Sequence, residues 1–373
     1  MIWQIITGEY PPDDGGVSAY ARIVAAGLAA AGDEVHVWTP QVPGPESHDE
    51  GVIVHRLPGH FGMPALHRLD RALRDFRGSR WLIQYVPNAF GWRGMNLPFC
   101  LWLYARRSSE LDVMFHEVMF PIARGQPLKH NLIGRVNRVM ASLAAGAAAR
   151  LFVSTEIWEA VLRAQAGVSR PTTWLPLPGT IPVVRDEATV LAVRNRYRRS
   201  NRVLVGHFST YPKATKDMLA HLLPNILAED GFDILLMGKG SREFRDSLAA
   251  RRPDLARRLF SSGRLAAPEL SCHLSACDLM LQIYPDGACT RRTTLIAALE
   301  HGRAIVTYGG PATEELWNQG AVALEHNQDE LREAVLRLVA EPASRARYQS
   351  AAAALYRDRF HPKYTIEQLR SIS

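Results

Sequence analysis

The sequence has no apolar run of the about 18 residues that a membrane-crossing helix needs, and its start, Met1-Ile2-Trp3-Gln4, has neither the basic nor the apolar segment of a secretory signal. These absences predict a cytoplasmic protein. Cysteine is scarce: Cys100, Cys272, Cys277 and Cys289 form no Cys-x-x-Cys pair, so a zinc knuckle, a thioredoxin-like motif and a disulfide framework are not expected. Repeats and low-complexity tracts are missing, which excludes a solenoid and a long disordered tail. No helix-turn-helix, zinc-finger or RNA-recognition signature is readable and the basic residues are dispersed, so nucleic acid is not an expected partner. Acidic residues are absent between Glu117 and Glu156, where Arg124, Lys129, Arg135, Arg138 and Arg150 stand. That local excess, within an overall charge of +7, points to anionic partners such as phosphates or a membrane surface.

What remains is a globular composition, 47% hydrophobic and 22% charged over 373 residues, enough for two cores. Trp3 to Thr7 reads as a strand, followed by a Gly-Pro-Asp loop from Gly8 to Gly16. A helix follows with the stripe Val17, Tyr20, Ala21, Val24 and Leu28 on one face. Gly32 stops it and Val35 to Thr39 is a second strand, a strand-helix-strand order that predicts a parallel sheet. From Trp81 to Tyr104 an aromatic, irregular stretch leads into a helix. Leu111 to Glu117 and Leu151 to Ser154 read as strands, and Trp174 to Pro178 closes this sheet. The Pro-rich segment Leu175 to Pro182 is the best linker. After it the alternation resumes, with strands at Val203–Gly206, Ile234–Met237, Leu279–Ile283 and Ala304–Thr307. Helices are expected near Asp217–Ala228, Pro268–Ser275 and Thr293–His301. The expected organisation is an α/β chain of two Rossmann-like domains, 1–180 and 181–355, with a C-terminal helix within 356–373 packing back on the first.

Several segments in order resemble the retaining GT-B glycosyltransferases of family 4. They are Gly15-Gly16 opening the first helix, Gly32-Asp33-Glu34-Val35-His36-Val37, Phe115-His116-Glu117, Leu204-Val205-Gly206 and Leu236-Met237-Gly238-Lys239-Gly240. Ser262-Gly263-Arg264-Leu265, Ala276-Cys277-Asp278-Leu279 and Glu300-His301-Gly302-Arg303-Ala304-Ile305-Val306-Thr307 complete the set. The resemblance implies two sheets facing across a cleft, a nucleotide-sugar donor bound by the C-terminal half and an acceptor held by the N-terminal half. It implies that Gly15 and Gly16 bring backbone amides toward the donor diphosphate, that His116 and Glu117 stand near the reacting sugar, and that Gly206 with Lys216, or its competitor Lys213, serves the diphosphate. Gly263, Arg264 and Leu265 match the segment that reads the nucleobase. His207 stands where the family carries an arginine.

The family's Glu-x7-Glu signature is absent, its two positions falling on Cys289 and Ala297. Asp286 is the nearest carboxylate and the candidate substitute. Arg291, Arg292, Thr293 and Thr294, on the turn and the start of the following helix, are the candidates for a compensating phosphate site, where helix N–H groups, arginine and hydroxyls suit an anion. There is no Asp-x-Asp, so neither a metal nor a cofactor is expected, the nucleotide sugar being a substrate. The implied activity is metal-independent transfer of a hexosyl group with retention, in polysaccharide, glycolipid or natural-product glycoside synthesis. The acceptor is a carbohydrate, a lipid-linked sugar or a small molecule, with peripheral contact at the inner membrane face. The alternatives are a catalytically silent sugar-nucleotide-binding protein of the same fold and a sugar-nucleotide epimerase.

Overall fold

The computed structural model describes residues 1–13, 15–43, 49–108, 110–199 and 202–371. Two compact units divide the chain, one of residues 1–176 joined by the segment from Pro362, the other of residues 177–361.

The first unit is built on seven strands, Ile2–Thr7 (β1), Glu34–Pro40 (β2), Val52–Leu57 (β3), Arg80–Tyr85 (β4), Leu111–Phe115 (β5), Arg150–Val153 (β6) and Thr173–Trp174 (β7). They run in the order β3-β2-β1-β4-β5-β6-β7, every neighbouring pair parallel. The order reverses between β1 and β4, the switch point at which open α/β sheets leave a crevice beyond the strand ends. Five helices make the crossovers: Gly16–Ala30 (α1), Met63–Leu73 (α2), Leu97–Tyr104 (α3), Leu128–Ala147 (α4) and Ile157–Ala166 (α5). In α1 the stripe residues Tyr20, Ala21, Val24 and Leu28 are buried. Gly32 ends that segment at φ +87°, a conformation that costs glycine nothing.

Two expectations change here. The aromatic stretch opens with the strand β4, whose last four residues are all buried; covered on both faces, a central parallel strand shows no alternation to read. The closing strand shrinks to Thr173–Trp174, because Pro176 and Pro178 carry no N–H for a sheet ladder. The C-terminal helix Pro362–Arg370 belongs to this unit and lies on α1, where Ile366 occupies the space that a side chain at Gly27 would need. Arg150 pins it, donating to the carbonyls of Leu369 at 2.7 Å and Ser371 at 2.6 Å while it pairs with the buried Asp112 at 2.7 Å.

The second unit opens with the helix Glu187–Tyr197 (α6). It carries six strands, Val203–Phe208 (β8), Phe232–Met237 (β9), Leu259–Gly263 (β10), Leu279–Gln282 (β11), Ala304–Tyr308 (β12) and Ala323–Glu325 (β13). Their order is β10-β9-β8-β11-β12-β13, again all parallel, with its reversal between β8 and β11. Between and after them lie Lys213–Leu227 (α7), Ser241–Arg251 (α8), Ala267–Ala276 (α9), Thr293–Glu300 (α10), Gln328–Ala340 (α11) and Pro342–Leu355 (α12). Helix α7 begins at Lys213, four residues earlier than expected, since Lys, Ala and Thr after Pro212 continue the helix rather than precede it. No helix among the described residues is long and apolar enough to cross a membrane.

Glu300, the last residue of α10, is largely buried in this unit. Its Oε2 has no hydrogen-bond partner and lies where a side chain at Gly179 would stand. Burial pushes its carboxyl up from 4.5 to about 7, against a smaller downward pull from the Tyr356 hydroxyl. The folded state therefore holds this proton where the unfolded chain has released it, so the associated stability is present below pH 4.5 and is lost as pH rises toward 7. Glu300→Gln should match the wild type near pH 4.5 and exceed it at pH 8 by about 1–2 kcal/mol, a figure reduced for the partial exposure of the group. Urea unfolding at the two pH values measures it, and equal differences at both would refute the assignment.

Candidate functional site

At the switch point of the first unit the chain leaves β1 through Gly8, whose missing side chain lets the loop approach the Ala89 carbonyl. Tyr10, fully buried, anchors this loop through its hydroxyl to Asp49 at 3.1 Å, and Arg56 donates to the Pro11 carbonyl. Glu9 is thereby directed at the start of α1, its Oε2 lying beside the Cα of Gly15. A side chain at Gly15 would displace the Glu9 carboxylate from this position. A Cβ at Gly16 would meet nothing, so the first turn of α1 stands open there. That turn has neither a capping side chain nor an acidic residue of its own. Burial, then Asp13, then Glu117 push the Glu9 carboxyl above its ordinary range. Neighbouring carboxylates resist sharing so small a space.

His116 follows the last residue of β5. Its backbone N–H donates to Tyr85 O at 3.1 Å, and its carbonyl accepts from Trp158 Nε1 at 2.8 Å and Ser154 Oγ at 3.3 Å. The ring packs edge-on to Tyr20 at 4.7 Å, and Nε2 meets Oε1 of Gln84 at 2.7 Å. Burial lowers its pKa to about 3, so the ring is neutral. Glu117, next in the chain, is exposed.

In the second unit the strand ends gather different groups. Gly206 lies within β8, where a Cβ would strike Cys277, Met280 and Met237, so its bareness serves core packing. His207 is buried, with Nδ1 against the Leu281 carbonyl at 2.6 Å. Burial lowers its pKa to about 4, leaving no positive charge in the arginine's place. Lys213 is exposed and paired with Asp217 at 2.7 Å. Lys216 is half-buried inside α7 and faces a groove of about 230 Å³ toward Glu243, Phe244 and Arg251 of α8. Gly263 ends β10 at φ +76°, with the Arg242 guanidinium filling the space beside it and donating to the Ser262 carbonyl at 2.9 Å. Arg264 is exposed and Leu265 half-buried.

The turn from Ile283 into α10 is the most densely bonded part of this edge. Arg292 pairs with Asp286 and stacks over the Tyr284 ring at 4.9 Å, and the Tyr284 hydroxyl meets Thr294 Oγ1 at 2.7 Å. Asp286 and Arg292, assigned separate roles from the sequence, therefore bind each other. The helix cap is Arg292, with no side-chain cap bond, while Thr293 and Thr294 already lie inside the helix; the threonines do not cap it. Arg291 is exposed on the same turn. Cys289 and Ala297 are both buried. Upstream, Thr290 gives its N–H and hydroxyl to the buried Glu314 at 2.6 and 2.7 Å. Glu9, Gln84, Arg242 and Glu314 escaped sequence reasoning. Only Gln84 carried a signal, as a polar residue following the apolar run Trp81-Leu82-Ile83. Among the described residues no group of three His, Cys, Asp or Glu is placed to hold a metal ion.

Residues 15–178 match the model of the glycosyl transferase 4-like domain. No curated protein matches the chain. Among solved structures it is similar to sucrose-phosphate synthase from Thermosynechococcus elongatus, with a TM-score of 0.68, 16% identity and coverage of 99% of this chain and 97% of that one. Anabaena HepE in complex with UDP gives a TM-score of 0.72 at 17% identity, covering 99% and 98%. WaaG, a glycosyltransferase involved in lipopolysaccharide biosynthesis, gives 0.63 at 14%, covering 100% of both chains.

The neutral buried histidines predict acid sensitivity. His207 is depressed from 6.5 to about 4, so below pH 6.5 the unfolded chain takes up a proton that the fold refuses, and stability falls as pH drops toward 4. His207→Asn should lose about 2 kcal/mol less than the wild type between pH 7 and 4.5. Urea midpoints at those pH values test this, and identical losses in the two proteins would contradict it.

Proposed function

We propose, for a chain whose residues 15–178 match the model of the glycosyl transferase 4-like domain and whose full length has the GT-B glycosyltransferase fold, that the second unit binds a nucleotide-diphosphate sugar and the first presents the acceptor. In the reaction the bond from the anomeric carbon to the diphosphate oxygen breaks and a bond to an acceptor hydroxyl oxygen forms on the same face. The hydroxyl proton leaves with the departing diphosphate. The chain's residues contribute position and electrostatics. His116 stays neutral beside the sugar. Positive charge for the diphosphate comes from Arg291, Arg292, the first turn of α10 and a lysine of α7, without a metal.

The observation that carries this reading is the turn from Ile283 to Thr294. There an arginine held over an aromatic ring stands at a helix start with no acidic residue in its first turn. The partial positive charge of a helix start favours an anion, and a guanidinium adds a two-pronged contact. A phosphate would take Arg292 from Asp286 and release that carboxylate toward the sugar. HepE has been solved with UDP and with UDP-glucose, which favours a uridine nucleotide among the donors to be tried first. A silent binding protein is the second reading, favoured by the buried, carboxylate-free Cys289 and Ala297; donor consumption with a panel of acceptors separates the two.

Calorimetric titration with UDP, GDP, ADP and their sugars, in EDTA, tests the donor site. Arg292→Ala should weaken the nucleotide that binds by about 1.5–3 kcal/mol, the range of a hydrogen bond to a charged group, and more than Arg291→Ala does. Both variants within error of the wild type would sink the assignment.

An anionic membrane surface is proposed as the partner of the first unit. On α4, Leu128, Leu132 and Val139 are 87%, 56% and 52% exposed and share one helix face with exposed Arg135. Leu101 and Tyr104 of the adjoining α3 are also exposed, and Arg124 and Lys129 flank the start of α4. Apolar side chains enter the interface while each well-placed cation adds about 1 kcal/mol with anionic lipid. Flotation should recover the protein with vesicles containing phosphatidylglycerol and not with neutral ones, and Leu128→Asp with Leu132→Asp should abolish recovery. Equal recovery from both lipids would refute it.

A further inference from the structure

We propose that Gln84 is a positioning residue that holds His116 in the tautomer protonated at Nε2, leaving Nδ1 as a hydrogen-bond acceptor. The two residues are brought together by strand register. Gln84 is paired with Met114 and Tyr85 with Phe115 across β4 and β5, so His116, one residue further, folds over the end of β4. Its main chain is fixed at both ends of the residue, N–H to Tyr85 and carbonyl to Trp158 and Ser154. With the backbone and the Tyr20 ring holding the imidazole, Nε2 is hydrogen-bonded to Oε1 of Gln84 at 2.7 Å.

Gln84 is 0% exposed, and its amide nitrogen has no partner. Its carbonyl side faces the ring. A carbonyl oxygen only accepts, so the hydrogen between the two residues is carried by Nε2 of the histidine. A neutral imidazole has one donor and one acceptor, and here the donor is already used. Burial, which keeps the ring uncharged, stops a second proton from restoring a donor at Nδ1. The consequence concerns recognition: Nδ1 can receive a hydroxyl hydrogen from a sugar and cannot donate to a phosphate or carboxylate oxygen. This rests on the reading that His116 meets a sugar. Its specificity would then be for a hydroxyl group at that point of the ring, with a deoxy or phosphorylated analogue excluded because it offers no hydrogen.

Long-range ¹H–¹⁵N NMR of the full chain labelled at histidine decides the tautomer, the His116 signals being identified by their loss in His116→Gln. The wild type should show a protonated Nε2 and a bare Nδ1, unchanged from pH 7.5 to 5.5. Gln84→Glu, which keeps an accepting oxygen, should keep the proton on Nε2 at pH 7.5 while raising the ring's pKa, and Gln84→Leu should give a mixture of tautomers. Donor turnover should fall at least tenfold in kcat for Gln84→Leu, with Gln84→Glu nearer the wild type. A wild-type ring protonated at Nδ1, or protonated at both nitrogens near neutral pH, overturns the proposal even if the leucine variant does not fold. Should the spectrum be as expected while Gln84→Leu turns over normally, the tautomer assignment stands and the placement of His116 at the sugar falls.

Discussion

Parallel strand pairing is the constraint on which the rest of this structure depends. In a parallel sheet every strand ends on the same edge, so all strand-to-helix loops of a unit gather there and all helix-to-strand returns gather at the other. Gly8, Glu9, Gln84 and His116 lie at or just beyond the ends of β1, β4 and β5 for this reason. In the second unit the same rule assembles Gly238, Gly263 and the turn before α10. Residues more than a hundred positions apart share an edge because the hydrogen-bond ladder leaves them nowhere else to be.

The two edges of each sheet are treated differently. Towards the starts of the strands, buried carboxylates are fully partnered: Asp112 by Arg80 and Arg150, Asp233 by Arg199 and Arg202, Asp33 by the N-terminal amine, Trp3 and Arg370. A buried charge is tolerable only when so compensated. Along the opposite edge compensation is incomplete. Glu9 feels the neighbouring carboxylates of Asp13 and Glu117, the amide nitrogen of Gln84 and Nε2 of His207 have no partner among the described residues, and α1 and α10 begin without side-chain caps. Unfilled bonding capacity of this kind is expected where a ligand completes the structure.

The resemblance in the sequence and the observed fold agree because the features that define the fold are local. The α1 stripe, the glycine stop at Gly32 and the apolar strands β5, β8 and β9 each occupy a few consecutive residues and announce themselves by spacing. Strand β4 was obscured by its aromatic content, and β7 by prolines that allow only two residues to pair. The place of His116 directly after a strand was legible in the sequence. The packing around Gly206 was not, because what approaches a glycine, here three sulfur-bearing side chains, is set by residues distant in the chain.

By itself the sequence determined the α/β class, the alternation of strands and helices, the supply of cations and the absence of the paired glutamates, all of which are properties of composition and short-range order. Only the tertiary structure decided which groups are charged and which are occupied. Burial makes His116 and His207 neutral, a salt bridge joins Asp286 to Arg292, and α7 places Lys216 half-buried beside the groove toward α8. Protonation and pairing depend on the dielectric surroundings and on neighbours distant in the chain, and these exist only once the sheets have formed.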